Sequence, residues 1–149
     1  MSRPMPPSGA NPPVLAHTTA GVPIELVPLA RNVCARYRSE FPDEKERYGA
    51  VGQAWCVHDN QYLLAWAIQD ARDGTVELDE QAVWLADVLD SRGFPVARLA
   101  RDLEIAAAVV TEGIVERSFA DAVAGRLAAA AATVGRWQRA AEKDMSPSA

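Results

Sequence analysis

The chain has 149 residues, with 15 Lys and Arg against 20 Asp and Glu, giving a formal net charge of −5. That length suits one domain able to bury a core without metal or disulfide help. The acidic balance, with no clustered Lys and Arg, argues against a nucleic-acid phosphate footprint. Apolar residues make up 49 % and aromatics 7 %; much of the apolar share is alanine, which favours helices.

Residues 1 to 22 are rich in Pro, Ser, Gly, Ala and Thr, and seven prolines fall in the first 28 residues. Such a segment has too little apolar mass to offset its ordering entropy, so a disordered tail is expected there, with His17 a solvated residue in it. The same prolines leave no apolar core for a signal peptide. A single helical domain is expected over residues 23 to 143. Its first helix runs from about Ile24 to Glu40, with Leu26, Ala30, Val33 and Tyr37 on one stripe and Pro28 tolerated in the first turn. Pro42 stops it, and Asp43 is the expected cap of a second helix, about Glu44 to Arg72, ending at Gly74. This helix is long, and His58-Asp59-Asn60 is its weakest stretch and expected break point. Its Tyr48, Val51, Trp55, His58, Tyr62 and Ala65 share one face, which is expected to point inward.

A third helix is expected over about Asp79 to Arg92, with Val83, Trp84, Leu85, Val88 and Leu89 as its apolar face and Gly93 as its stop. A fourth covers about Val96 to Thr111 with Leu99, Leu103, Ala106 and Val110, closed by Gly113. The last helix carries Phe119, Val123, Leu127, Ala130, Val134 and Trp137 at steps of three and four, with Ser118 and Asp121 as an approximate capping box. Residues 144 to 149 are expected to fray. No convincing strand pattern appears beyond Thr75 to Leu78. The alanine-rich stretch is nine residues from Leu127 to Gly135, too short to span a bilayer. The expected architecture is an all-α bundle of five or more helices. Ala128 to Ala132, with Gly125 and Gly135, suits either tight packing within the domain or a seam between two chains.

The chemistry is defined first by what is missing. The nine glycines are scattered singly, so no phosphate loop is present, and no nucleophile-elbow serine or second core histidine offers an enzyme its base. No enzymatic activity is expected. Cys56, His58 and Asp59 have the chemistry of metal ligands, but positions i and i+2 of a helix diverge, so Cys56 and His58 do not converge on one ion and no metal site is expected. The two cysteines, Cys34 and Cys56, are expected to be reduced thiols in a cytoplasmic protein, with Cys56 buried and inert. His58 is expected to be a core histidine held by a carbonyl or carboxylate, with a ligand-facing or pH-sensing role as the alternative. Trp55, Tyr62, Trp66 and Trp84 are expected in the core, though they also offer stacking faces to a planar cofactor.

Three segments, Cys56-Val-His-Asp-Asn-Gln-Tyr62-Leu-Leu-Ala-Trp66, Glu80-Gln-Ala-Val-Trp84 through Leu89-Asp-Ser-Arg-Gly-Phe-Pro95, and Leu99-Ala-Arg-Asp-Leu103-Glu, occur in this order. In that order the chain resembles bacterial non-haem globin-like sensor domains, the photoglobin-like relatives of the globin-like domains on stressosome signalling proteins. The resemblance spans about residues 45 to 112. It implies a globin-like helical fold, a sensory or regulatory role, homodimerisation and a signalling partner. It also implies candidate pocket positions at Cys56, His58, Asp59, Tyr62 and Trp84, with Trp66 as a further stacking face. The leading expectation is therefore a non-enzymatic sensory module that acts through ligand-biased packing. A tetrapyrrole carrier (haem, bilin or cobalamin) using His58 is the second reading, and a ligand-free interaction adaptor the third.

Overall fold

Five α-helices and one short hairpin make up residues 11–145 of the computed structural model, which are the residues described, Met145 by its backbone alone. Of the tails expected over residues 1–22 and 144–149, residues 1–10 and 146–149 lie outside them, and Asp144 and Met145 continue the last helix. The helices are α1 (Leu26–Glu40), α2 (Asp43–Asp73), α3 (Leu78–Ser91), α4 (Val96–Gly113) and α5 (Arg117–Met145). The fold is an all-α bundle. Its most extensive helix pair is α4 with α5, where Leu103, Val109, Val110, Val123, Leu127 and Val134 are wholly buried. The stripe on α5 follows the expected steps, and Phe119, Val123, Leu127, Ala130 and Val134 are all buried. The alanine run divides: Ala130 and Ala131 are buried, while Gly125, Ala128, Ala129 and Ala132 stay exposed on the outer side.

Several expectations are corrected. Residues 11–22 do not read as a tail throughout, because β1 (Leu15–His17) pairs antiparallel with β2 (Pro23–Glu25), aligning Ala16 with Ile24. Thr18 and Val22 close the hairpin through Thr18 N–H to Val22 O at 2.9 Å and Val22 N–H to Thr18 Oγ1 at 3.1 Å. The buried Gln61 amide of α2 donates to Pro13 O at 3.0 Å, which ties the segment down from outside its own sequence. Strands of three residues are too short to leave an alternation signal. The strand candidate at Thr75 to Leu78 is instead a turn and helix start, where Asp70 of α2 accepts the Leu78 N–H at 2.9 Å and satisfies the first donor of α3. Asp43 and Ser118 lie inside their helices rather than capping them, since Pro42 precedes α2 and α5 begins at Arg117.

The break in α2 falls at Gly49, not at His58-Asp59-Asn60. Gly49 has φ 60° and ψ −150°, a backbone region open essentially to glycine. Asn60 needs no break because its side chain finds partners inside the bundle. Nor is the stripe from Tyr48 to Ala65 the inner face of α2: the buried residues are Asn60, Gln61, Leu63, Leu64, Ala67 and Ile68. On α3 the buried face is Leu78, Ala82, Leu85 and Ala86, and Trp84 is 58 % exposed on the other side.

Candidate functional site

A pocket of about 120 Å³ opens where α1, the first half of α2, the end of α3 and the start of α4 meet. Its deep part is formed by Asn60, Asp102, Leu63, Leu85 and Leu99, all buried, with Cys56 beside them. Tyr48, Trp55 and Phe94 form aromatic walls, and Arg92 stands exposed at the rim. Local sequence accounts for two of the walls, Tyr48 and Phe94. The Gly49 break precedes Gly52, where the Tyr48 Cβ occupies the space a side chain would need, so Tyr48 is folded back over the pocket and stands 6.1 Å from the Phe94 ring. Phe94 is delivered by the end of α3, where Gly93 N–H donates to Asp90 O and Phe94 N–H to Leu89 O, both at 2.9 Å. That is a Schellman termination, with the glycine left-handed at φ 77° and the following apolar residue turned back onto the helix. Pro95 then leads into α4.

The floor is polar. Asp102 of α4 occupies a core position, 6 % exposed, and burial pushes its carboxyl pKa up to about 7. The Asn60 hydrogen bond works against that rise, and the negative charges of Asp59 and Glu44 add to it. Asn60 Nδ2 donates to Asp102 Oδ1 at 3.1 Å and to Cys56 O at 3.0 Å. It also lies 3.6 Å from both Cys34 Sγ and Cys56 Sγ. The Asn60 Oδ1 is buried and has no hydrogen-bond partner among the described residues. A buried acceptor left unpaired costs on the order of 1–3 kcal/mol.

Glu44 links the floor to the rim. It accepts the Tyr37 hydroxyl at 3.0 Å and Arg98 Nη1 at 2.6 Å, while Arg98 Nη2 reaches Asp43 and the guanidinium lies 4.5 Å over the Phe41 ring. Burial and the neighbouring Glu44 carboxylate raise the Tyr37 hydroxyl far above its ordinary range, so it stays a donor.

Cys34 and Cys56 are joined as a disulfide between α1 and α2, with their Cα atoms 6.1 Å apart. This corrects the expectation of two reduced thiols, and Cys56 is half-buried rather than buried. Packing of α1 on α2 brings the pair together, a contact that the 22-residue separation does not reveal. Of the candidate pocket positions, Cys56 and Asp59 line the pocket and His58, Tyr62, Trp66 and Trp84 do not; Trp55, expected in the core or as a stacking face, lines it too. His58 belongs to a half-buried aromatic ladder along α2, its ring edge-on to Trp55 at 5.0 Å and to Tyr62 at 5.2 Å, with Tyr62 tilted against Trp66 at 5.6 Å and Trp66 packed on the core. Its Nδ1 is 3.1 Å from Asp59 Oδ1.

A tetrapyrrole does not fit this arrangement. Its intended ligand, His58, is outside the pocket, and 120 Å³ is small beside the roughly 300 Å³ or more of sites for larger ligands. Among the described residues no group of three His, Cys, Asp or Glu is placed to hold a metal, and no helix is long and apolar enough to cross a membrane.

Sequence reasoning passed over Asn60, Asp102, Glu44, Arg98 and Phe94. Two of them carried a signal: Asp102 sits at a step of three from Leu99 and four from Ala106, and Asn60 at three from Leu63 and four from Leu64. A polar residue on an apolar stripe is a candidate for a buried site. Comparison with family models, curated proteins and solved structures gives no significant match to this chain.

Proposed function

We propose that this chain is a sensory or regulatory module of the non-haem globin-like type, in which a small ligand in the α1–α4 pocket biases helix packing. The observation that carries this reading is the unpartnered Asn60 Oδ1 at the floor of a pocket with aromatic walls. Its ligand is small, has an apolar body, and presents an N–H or O–H donor to Asn60. Binding is felt by the segment Asp43–Tyr48, which bears Glu44 and Tyr48 and joins the rest of α2 through the Gly49 break. A ligand acts only through different affinities for two packings, and this junction is where the packing is least continuous.

The output is association. The exposed Gly125, Ala128, Ala129 and Ala132 on α5 suit close approach of a second copy or of a signalling partner. The chain is cytoplasmic and non-enzymatic in this reading, and in a reducing compartment the Cys34–Cys56 pair is a responsive couple rather than a permanent staple. Benzylamine, an aromatic body with an ammonium donor, is a suitable probe. Backbone amide shifts on its titration should centre on Tyr48, Trp55, Asn60 and Phe94; shifts that are absent or spread evenly would refute the pocket. Light scattering should give a dimer that Ala129→Trp dissociates, and a monomer at every concentration would remove the proposed output.

A further inference from the structure

The pocket floor holds a combination that ligand sensing does not call for. Cys56 lines the pocket, whereas Cys34 lies behind it at 2 % exposure and lines none of it. Asn60 Nδ2 donates to Asp102 Oδ1 at 3.1 Å and to Cys56 O at 3.0 Å and lies 3.6 Å from both sulfurs, so this one amide touches both halves of the couple and the carboxyl group. A reactive thiol couple needs three things: access for a nucleophile to one sulfur, stabilisation of the other as it leaves, and a group that moves the proton. Cys56 meets the first need and Asn60 the second. Asp102 is the group available for the third.

We propose that this floor is a thiol–disulfide exchange centre that takes a small thiol through the pocket, with Cys56 as the attacked sulfur, Cys34 as the leaving sulfur and Asp102 as the proton carrier. The Asp102 carboxylate takes the proton of the incoming thiol. The resulting thiolate forms an S–S bond with Cys56 Sγ as the Cys34–Cys56 bond breaks. The electron pair of that bond passes to Cys34 Sγ, which collects the proton from Asp102. A second thiol then attacks the exogenous sulfur of the mixed disulfide, releasing the small disulfide and leaving Cys56 as a thiol once that second proton has transferred. Two thiols are oxidised to one disulfide, and the Cys34–Cys56 pair is reduced by the same two electrons. The reverse sequence closes the pair at the expense of a small disulfide.

The surroundings favour this assignment. A buried thiolate in apolar surroundings is poorly stabilised, so Cys34 leaves readily only if a donor and a proton are at hand. A proton carrier works best with a pKa near the ambient pH, and Asp102 has one near 7. The charged and titratable groups around it are Tyr37 from α1, Glu44, Tyr48 and Asp59 from α2, Arg92 after α3 and Arg98 on its own helix; no α5 residue lines the pocket. The volume of about 120 Å³ restricts the substrate to small thiols.

The test uses the reduced, full-length protein and bis(2-hydroxyethyl) disulfide, followed by intact mass. Wild type should lose two hydrogens as Cys34–Cys56 closes. Cys34→Ser should accumulate a mixed disulfide on Cys56, and Cys56→Ser should leave Cys34 unmodified at least tenfold longer. Closure in wild type should speed up through an inflection near pH 7, and Asp102→Asn should slow it tenfold or more and remove that inflection. Should Asp102→Asn fail to fold, the wild-type profile decides alone. Equal labelling of Cys34 in Cys56→Ser, or a wild-type rate that rises only as an ordinary thiol ionises, would overturn the proposal.

Discussion

The α4–α5 half of the bundle and the pocket half are built on opposite principles. In the first, apolar residues recur at helical spacing and close on one another completely, as Leu103, Val110, Val123 and Leu127 do. In the second, a helix is broken at Gly49, a carboxyl group and an amide are buried, and a disulfide replaces part of the apolar contact. The difference separates what stabilises this fold from what is available for chemistry. Buried polar groups cost stability unless fully paired; Thr18 and Gln61 are paired through the hairpin, whereas the pocket floor leaves Asn60 Oδ1 without a partner among the described residues.

Truncating the closed half should have the largest effect. Leu127→Ala removes a wholly buried side chain from the α4–α5 seam and should destabilise by about 2–5 kcal/mol in urea unfolding; a loss well under 1 kcal/mol would mean the seam is not close-packed. The pocket half should instead respond to pH. The folded-state pKa of Asp102 lies above its ordinary carboxylate value, so the native state holds a proton that the unfolded chain releases. Its contribution is fully present below about pH 4 and is lost as the pH rises through about 7, up to roughly 4 kcal/mol. Unfolding followed across that window should show stability falling with pH in wild type and little slope in Asp102→Asn. Glu40 and Glu112, held below their ordinary range by hydrogen bonds from Arg101 and Arg36, act with the opposite sign and only at lower pH.

A smaller effect is expected at the break itself. Gly49→Ala forces a side chain into φ 60°, ψ −150° and should cost about 1–3 kcal/mol, while shifting the fluorescence of nearby Trp55. No loss of stability would mean that the break is not needed. The smallest effect is predicted for Trp84→Ala, on the exposed side of α3. It should change stability by no more than about 0.5 kcal/mol and leave disulfide exchange unaltered, which sharpens the boundary of the site.

The two halves also differ in how far the sequence reveals them. All five helices, and the buried stripe of α5, are visible as spacing, because each is a property of neighbouring residues. The pocket is not, since its floor joins Cys56 and Asn60 of α2 with Asp102 of α4, and Cys34 of α1 lies behind them. Aromatic richness points to His58, Tyr62, Trp66 and Trp84, of which the first three are half-buried beside the pocket and Trp84 is exposed, and none lines it. The inward face of α2 is hidden in the sequence because its ring-bearing side looks more apolar than the side carrying Asn60 and Gln61. Cys56 and Asp59 were found, yet the partner that gives Cys56 its meaning is 22 residues away on another helix.

In the proposed exchange centre, the Asp102 carboxyl group at the pocket floor exchanges its proton near neutral pH beside the Cys34–Cys56 couple. Titration of the Asp102 carboxyl carbon by NMR, assigned through Asp102→Asn, tests this most directly. A midpoint near 7 that shifts between the dithiol and disulfide forms is predicted. A midpoint near 4, the same in both forms, would contradict it.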